Sequence, residues 1–135
     1  PVQCYGDWAD TSGTDPHARV HSMLDALLRK FGQNVQLRLS LLATGDTALR
    51  EVNPSDYFWG CGKDGSGCNV LGRMLQLVRS FLRSSSADSF LATPTNEAAV
   101  ELALHAMRPY MAMLHGPDPH AQVIATRAKP KRKAS

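Results

Sequence analysis

The sequence predicts a small, mainly helical domain of the all-α or α+β class. Three stretches, residues 15–32, 69–83 and 95–114, place apolar side chains at the three- and four-residue steps of a helix face. A chain of 135 residues with 43% hydrophobic and 20% charged residues suits one globular domain. No run of about 18 apolar residues occurs, so the sequence predicts no membrane-spanning helix.

The first helix is predicted to begin at Asp15-Pro16, because aspartate caps helix N-termini and proline fits the first helical position. Gly32 provides its stop. Residues 1–14 ahead of it are polar and turn-rich and predict a loop, with Trp8 packed on the flank of the domain. The buried stripe of the helix is predicted to consist of Val20, Met23, Leu24, Leu27, Leu28 and Phe31.

The next two segments are shorter. Residues 34–44 alternate apolar side chains as a strand does and also fit a helix, so the pattern by itself leaves both open. Residues 48–52 predict a short strand that leads into the turn signal Asn53-Pro54.

Two further helices are predicted in the C-terminal half. The earlier one follows Asn69, which is expected to cap it, and it ends at the serines 84–86. The later one begins at Thr93-Pro94 or Thr95, and Pro109 kinks or ends it near Arg108. The earlier helix is predicted to bury Leu71, Met74, Leu75, Val78, Phe81 and Leu82 and to carry Arg73, Gln76, Arg79 and Arg83 on its polar side. The later helix is predicted to bury Ala99, Val100, Ala103, Met107, Tyr110, Met111 and Leu114.

Residues 54–72 are the most unusual part of the sequence. Asp56 precedes three aromatic residues, and half of the ten glycines of the chain lie between Gly60 and Gly72. A carboxylate, a ring for stacking and backbone N–H groups at a helix start are the parts of a small-ligand site. The alternative is structural, with core aromatics, an aspartate that caps a turn and glycines that turn the chain tightly.

Positive charge is concentrated at the C-terminus. Residues 127–135 carry five basic and no acidic side chains, whereas the rest of the chain has ten basic and twelve acidic ones. A basic terminus of this kind contacts RNA, DNA or another anionic surface, or it remains a solvated, disordered end. The basic side chains are Arg127, Lys129, Lys131, Arg132 and Lys133.

The three cysteines, Cys4, Cys61 and Cys68, fit no zinc spacing. We expect reduced thiols, as in a reducing compartment such as the cytoplasm or an organelle matrix, with a Cys61–Cys68 bridge as the alternative. His17 and His21 are four residues apart but have no partner carboxylate that would complete a metal site, so no metal is expected.

Several sequence landmarks occur in a fixed order along the chain. They are Leu28-Arg29-Lys30-Phe31, Leu37 with Leu41-Leu42-Ala43-Thr44, Leu49 and Glu51, Asp56 with Phe58-Trp59-Gly60, and Gly67, Asn69, Leu71-Gly72 and Arg79. With these landmarks, the stretch from Leu27 to Leu82 resembles the C-terminal half of the NADAR family, the YbiA-like N-glycosidases. The resemblance implies the fold of that family, truncated at the N-terminus and extended by a C-terminal helix, with residues 34–44 as a helix.

Members of that family hydrolyse N-glycosidic bonds. Their substrates include ribosylated pyrimidine intermediates of riboflavin synthesis, some members remove ADP-ribose from nucleobases, and no metal or organic cofactor is used. The resemblance implies that Asp56 and Trp59 are catalytic, the carboxylate stabilising positive charge on the sugar and the indole stacking on the base. The backbone N–H groups of residues 67–69 would hold a phosphate. The implied substrate-binding residues are Phe58, Gly60, Gly67 and Asn69.

Two hypotheses for function follow from the resemblance. The family's N-terminal half carries a Glu-His segment with a candidate catalytic glutamate, which has no counterpart here, and Cys61 and Cys68 stand where many members carry charged residues. The hypothesis that the sequence favours is a degenerate or split NADAR-like chain that serves as a non-catalytic subunit of a larger assembly. The alternative is an N-glycosidase-type hydrolase of ribosyl or ADP-ribosyl bonds that a second polypeptide completes. The predicted organisation is a loop at 1–14, the NADAR-like half at 15–84, an added helical segment at 85–120 and a basic, disordered tail at 121–135.

Overall fold

A computed structural model describes residues 18–114 and 116–122. Within these residues the fold is mainly helical, as predicted, and contains no strand. The predicted N-terminal loop with Cys4 and Trp8, the helix start at Asp15-Pro16 and residues 123–135 of the basic tail lie outside the described residues. The helices are α1 Ala18–Gln33, α2 Val35–Ala43, α3 Val70–Arg83, α4 Asp88–Ala92 and α5 Glu97–Met107, with 3₁₀ helices at Ser85–Ala87 and Arg108–Leu114.

Helix α3 lies at the centre of the core. Helices α1 and α2 and both 3₁₀ helices pack against it. Met74, Val78, Phe81 and Leu82 are buried as predicted, and the flanking leucines 71 and 75 are half-buried. Because partners surround α3 on several sides, most of its length is removed from water.

Helices α1 and α5 pack against each other and close the core from another side. The predicted stripe of α1 is buried, apart from Met23, which is half-buried. Val100, Ala103, Leu104 and Met107 of α5 join the same apolar cluster. The C-terminal helical segment therefore completes the core instead of standing apart from it.

The structure corrects the prediction at several element boundaries. Residues 34–44, ambiguous by pattern, contain helix α2. Residues 48–52 form no strand, because no neighbouring strand pairs with them in the described part of the chain. Helix α5 begins after Asn96, whose side chain accepts hydrogen bonds from the backbone N–H groups of Ala98 at 2.9 Å and Ala99 at 3.2 Å.

Helix α5 ends before proline 109, as predicted, and a 3₁₀ helix replaces it from Arg108 onwards. The change of geometry moves Tyr110 out of the buried stripe. Tyr110 is 59% exposed, whereas Met111 and Leu114 remain buried. The prediction that Tyr110 is buried is therefore wrong.

Two arginines of α3 are buried, although the sequence pattern assigned them to a polar side. Arg73 is 7% exposed and Arg79 is 4% exposed. Arg79 donates to the Thr44 hydroxyl oxygen at 2.7 Å and to the Thr47 carbonyl oxygen at 2.8 Å, which ties the end of α2 to α3. Burial lowers the pKa of Arg79, and the positive charge of Arg83 lowers it further.

An ion pair joins α1 to α5 at the surface. Arg29 donates to both carboxylate oxygens of Glu97, at 2.7 and 2.8 Å, and to Asp25 at 2.5 Å. The hydrogen bonds from Arg29 lower the pKa of Glu97. A carboxylate with a lowered folded-state pKa stabilises the fold above its ordinary pKa, and this stabilisation disappears as the pH falls through the lowered value.

We therefore predict that Glu97→Gln lowers the melting temperature at neutral pH, because it removes the charged partner of Arg29. The difference from the parent chain should persist down to the ordinary glutamate pKa of 4.5 and vanish at lower pH. Glu101→Gln, one turn further along α5, is the matched control, since Glu101 forms no ion pair within the described residues. Thermal unfolding of all three proteins between pH 3 and pH 7 measures the effect, and a pH-independent difference for Glu97→Gln would contradict the prediction.

Candidate active site

Residues 57–61 are called the aromatic segment. Their backbone carbonyl groups cap the start of α3. The N–H groups of residues 67–71 donate to the carbonyl oxygens of residues 57–61 at 2.7–3.1 Å. A helix start otherwise leaves its first N–H groups without partners. The N–H groups of Gly67, Cys68 and Asn69, which were expected to hold a phosphate, are therefore already engaged, and the structure does not support that role.

Two glycines allow this close backbone contact. A Cβ atom on Gly67 would collide with the backbone of Gly60 and Cys61. A Cβ atom on Gly60 would lie 2.9 Å from the Asp56 carbonyl oxygen. Both glycines are buried, so their small size serves packing within the loop, as the structural alternative predicts.

Asp56 organises the turn that leads into the aromatic segment. Its Oδ1 atom accepts hydrogen bonds from the backbone N–H groups of Phe58 at 3.0 Å and Trp59 at 2.8 Å. The side chain is half-buried, and its Oδ2 atom has no hydrogen bond to any described residue. One carboxylate oxygen is thus structural, and the other has no structural role within the described residues.

The two aromatic candidates differ in accessibility. Phe58 is 7% exposed and belongs to the core. Its ring meets Trp59 edge-on, with 4.8 Å between centroids, and the Arg19 guanidinium lies 3.8 Å from its centroid. Trp59 is half-buried, so of the two only Trp59 keeps ring surface for a ligand.

Asn69 does not cap α3 with its side chain, contrary to the prediction. Its backbone is left-handed, with φ at 49°, and it is 1% exposed. The side-chain Nδ2 donates to the Leu49 carbonyl oxygen at 2.8 Å, and Oδ1 accepts from the Glu51 N–H at 2.8 Å. Nδ2 also donates to an Asp118 carboxylate oxygen at 3.2 Å. Asn69 therefore binds other parts of this chain and has no side-chain surface for a substrate.

Arg73 holds the C-terminal segment against the start of α3. It donates to the carbonyl oxygens of Met113 at 2.7 Å, Gly116 at 2.8 Å and Cys68 at 3.3 Å. Burial lowers the pKa of Arg73, and the negative charge of Asp118 partly opposes this. Arg73 was predicted on the polar side of its helix, and no sequence signal pointed to Asp118.

Arg50 and Glu51 line an apolar cleft of about 320 Å³ beside the loop. The Arg50 guanidinium donates to the Cys61 sulfur at 3.1 Å, the Gly65 carbonyl oxygen at 3.0 Å and the His120 carbonyl oxygen at 3.3 Å. The Glu51 carboxylate has no hydrogen bond or ion pair within the described residues. Asp56 and Trp59 do not line this cleft. The position of Glu51 in the sequence landmarks was the only signal that pointed to it.

The cysteines differ from the expectation of three reduced thiols. Cys68 is disulfide-bonded. Cys61 is a free, buried thiol, so the alternative Cys61–Cys68 bridge is also wrong. The spacing of cysteines along the chain does not show which sulfur atoms lie close together in the folded protein. The state of each cysteine could therefore not be predicted from the sequence.

No metal site or membrane span occurs in the part of the chain that the structure describes. No three side chains of His, Cys, Asp or Glu lie together there in an arrangement that could hold a metal ion. None of the described helices has the length and apolar character needed to cross a bilayer.

Comparison with known proteins decides the family. A family model described as the NADAR domain matches residues 11–83, which is more than half of the chain. The chain belongs to the NADAR family. The NADAR match begins before Leu27, so it reaches further towards the N-terminus than the sequence landmarks did, and it leaves Trp8 outside.

Curated NADAR relatives are similar over part of their length. A riboflavin biosynthesis protein of Vibrio vulnificus is 47% identical over 77 residues, which are 57% of this chain and 19% of the relative. An N-glycosidase of Nostoc punctiforme is 45% identical over 62 residues, 46% of this chain and 40% of the relative. N-glycosidase YbiA of Shigella flexneri is 43% identical over 60 residues, 44% of this chain and 38% of the relative. The chain thus spans less than half the length of these relatives, and no solved structure matches it.

The side chain of Asn69 gives a stability prediction for this NADAR loop. Asn69→Gly should lower the free energy of unfolding by about 2–3 kcal/mol, since it removes the side-chain hydrogen bonds to Leu49, Glu51 and Asp118. Asn69→Ala should cost about 1 kcal/mol more, because alanine tolerates the left-handed backbone less well than glycine does. Urea unfolding measures both variants. Equal stability of the two would contradict the left-handed geometry, and parent-like stability would contradict the buried hydrogen bonds.

Proposed function

We propose that this chain supplies part of the active site of an N-glycosidase-type hydrolase, and that a second polypeptide completes the site. The observation that carries the proposal is the Asp56 carboxylate, which is anchored through Oδ1 and leaves Oδ2 unbonded within the described residues, next to the half-exposed Trp59. The similarity to proteins named N-glycosidases, at 45% and 43% identity, supports the same reaction class.

The chemistry suits an anchored carboxylate. Hydrolysis breaks the bond between the sugar C1′ and the base nitrogen, and the bonding electrons leave with the nitrogen, which takes up a proton. Water adds to C1′ and loses a proton. Positive charge builds on the sugar ring in the transition state, and a fixed negative group beside the ring stabilises that charge. The exposed part of the Trp59 indole would stack on the base.

The relatives include a part that does not align with this chain, and that part would complete the site. The chain corresponds to 40% of the Nostoc punctiforme N-glycosidase. The Glu-His segment that the family resemblance implies has no counterpart in this sequence. A second carboxylate to activate water or protonate the base would therefore come from the remaining part of the domain.

The test is a complementation assay. This chain is mixed with the non-aligning part of the Nostoc punctiforme N-glycosidase, expressed as a separate polypeptide, and a ribosylated pyrimidine intermediate of riboflavin synthesis is the substrate. Release of free base is followed by chromatography. Hydrolysis by the mixture, and by neither polypeptide alone, supports the proposal, and no hydrolysis at any ratio of the two contradicts it.

Asp56 offers a matched pair of variants. Asp56→Asn keeps an oxygen that accepts from the N–H groups of Phe58 and Trp59 but removes the charge, so it should fold normally and lower the turnover of the mixture about 100-fold or more. Asp56→Ala also removes the two hydrogen bonds and should lower the melting temperature as well. Unchanged turnover with Asp56→Asn would remove this carboxylate from the mechanism.

A second candidate function is a non-catalytic subunit of a larger assembly. The occupied N–H groups of residues 67–71 and the burial of Phe58 and Asn69 favour it, since these groups serve the fold and leave few contacts for a ligand. In this reading the basic residues of the C-terminus contact RNA or another polyanion.

Deletion of residues 127–135 tests the polyanion contact. The deletion removes five positive charges and should weaken binding to a single-stranded RNA oligonucleotide at low salt, with a smaller effect as salt rises. The matched control replaces the five basic residues by glutamine at unchanged length and should behave like the deletion. Fluorescence anisotropy at several salt concentrations measures both, and equal binding of the parent and truncated chains would exclude the contact.

A further inference from the structure

Residues 48–52 are called the 48–52 segment. One edge of this segment is hydrogen-bonded by Gln76 of α3 and by Asn69, the residue before α3. Gln76 accepts from the Leu49 N–H at 2.9 Å. The Asn69 amide bridges the Leu49 carbonyl oxygen and the Glu51 N–H, each at 2.8 Å. In a parallel pair of strands, the N–H and C=O groups of one residue bond two residues of the partner strand in the same way, one on each side of the position it faces. Two amide side chains thus replace a strand on this edge.

The opposite edge of the 48–52 segment is open. The backbone groups of Ala48, Arg50 and Val52 form no hydrogen bond within the described residues. Val52 is 85% exposed. An edge that presents alternate N–H and C=O groups without partners is a template for pairing with another strand.

The two faces of the 48–52 segment border two different cavities. Leu49 and Glu51 line the apolar cleft of about 320 Å³, together with Leu41 and Leu75. Ala48 lines a more polar cavity of about 510 Å³, and Arg50 lies between the two cavities and lines both of them. Because side chains of a strand alternate between faces, a strand on the open edge would direct every second side chain towards the apolar cleft.

One of the three exposed apolar side chains of α2, Leu37, lines the cleft. Val35 is 53% exposed, Leu39 is 54% exposed, and Leu37, which lines the cleft, is 37% exposed. Val35 and Leu39 are four residues apart and share a different face of the helix, so only Leu37 extends the apolar surface of the cleft.

We propose that the open edge of the 48–52 segment binds an extended segment with apolar residues at alternate positions, contributed by the remaining part of a NADAR domain on a second polypeptide. The unpaired backbone groups require a peptide partner, and the apolar cleft beside them sets the alternation. The length of the relatives beyond the aligned region provides such a partner, since this chain corresponds to only 38–40% of the N-glycosidases. The identity of the partner rests on the proposed function, whereas the edge itself does not.

The experiment uses the full chain and overlapping synthetic peptides of about 10 residues, the upper length of an ordinary strand. The peptides cover the part of the Nostoc punctiforme N-glycosidase that does not align with this chain. Binding is followed by fluorescence anisotropy. One peptide window should bind. Methylation of its backbone nitrogens at alternate residues should weaken binding about tenfold or more for one set and leave it nearly unchanged for the other, because only one edge of the peptide pairs.

A matched pair of chain variants tests the edge from the other side. Val52→Pro removes one N–H from the open edge. Proline is compatible there because Val52 is the middle residue of a tight turn in which the Asn53 N–H donates to the Glu51 carbonyl oxygen at 3.1 Å. Val52→Pro should weaken peptide binding about tenfold, whereas Val52→Ala, which keeps the N–H, should change it less than about threefold.

Three outcomes would overturn the proposal: no peptide binds, binding is insensitive to methylation and to Val52→Pro, or the chain forms a dimer that Val52→Pro dissociates. The last result would make a second copy of the chain the occupant.

A failure of the proposed function would give a different set of results from a failure of this surface. A peptide that binds in the predicted register, without hydrolysis in the complementation assay, contradicts the enzyme and retains this surface. Hydrolysis that Val52→Pro leaves unchanged contradicts this surface and retains the enzyme.

Discussion

The start of α3 depends on backbone hydrogen bonds between residues 67–71 and residues 57–61. These bonds satisfy the N–H groups that a helix start exposes, so the aromatic segment acts as the cap of the central helix. The arrangement requires glycine at positions 60 and 67, because a side chain there would collide with backbone atoms. It also buries Phe58 and leaves Trp59 partly accessible. The sequence of this loop is typical of a ligand-binding loop, but in the structure the loop mainly supports the core.

Buried polar side chains of α3, and of Asn69 just before it, hold the irregular segments around the helix. Arg79 binds the end of α2, Asn69 binds the 48–52 segment, and Arg73 binds the segment after the last 3₁₀ helix. Each donates to backbone carbonyl oxygens that would otherwise be poorly satisfied away from water. These side chains attach the loops to α3 in the way that neighbouring strands do in many folds. One edge of the 48–52 segment is therefore left open.

The helices could be predicted from sequence because apolar periodicity reports burial directly, as it does along α1 and α3. The roles of polar residues could not. Arg73 and Arg79 follow the spacing of a solvated face, and only the packing of other elements around α3 buries them. Asn69 occupies a position typical of a helix cap, yet its side chain is used twenty residues away in sequence. Asp56 was predicted as a catalytic residue. The sequence motif does not show that its Oδ1 atom also accepts two backbone hydrogen bonds in the turn.

Amide hydrogen exchange of residues 67–71, followed by NMR with and without ribose 5-phosphate, tests this account most directly. If carbonyl groups of residues 57–61 occupy these N–H groups, they should exchange as slowly as those in the buried middle of α3, and the phosphate should not shift their resonances. Fast exchange, together with phosphate-dependent shifts at Gly67, Cys68 and Asn69, would show an open anion site and contradict the structural role of the loop.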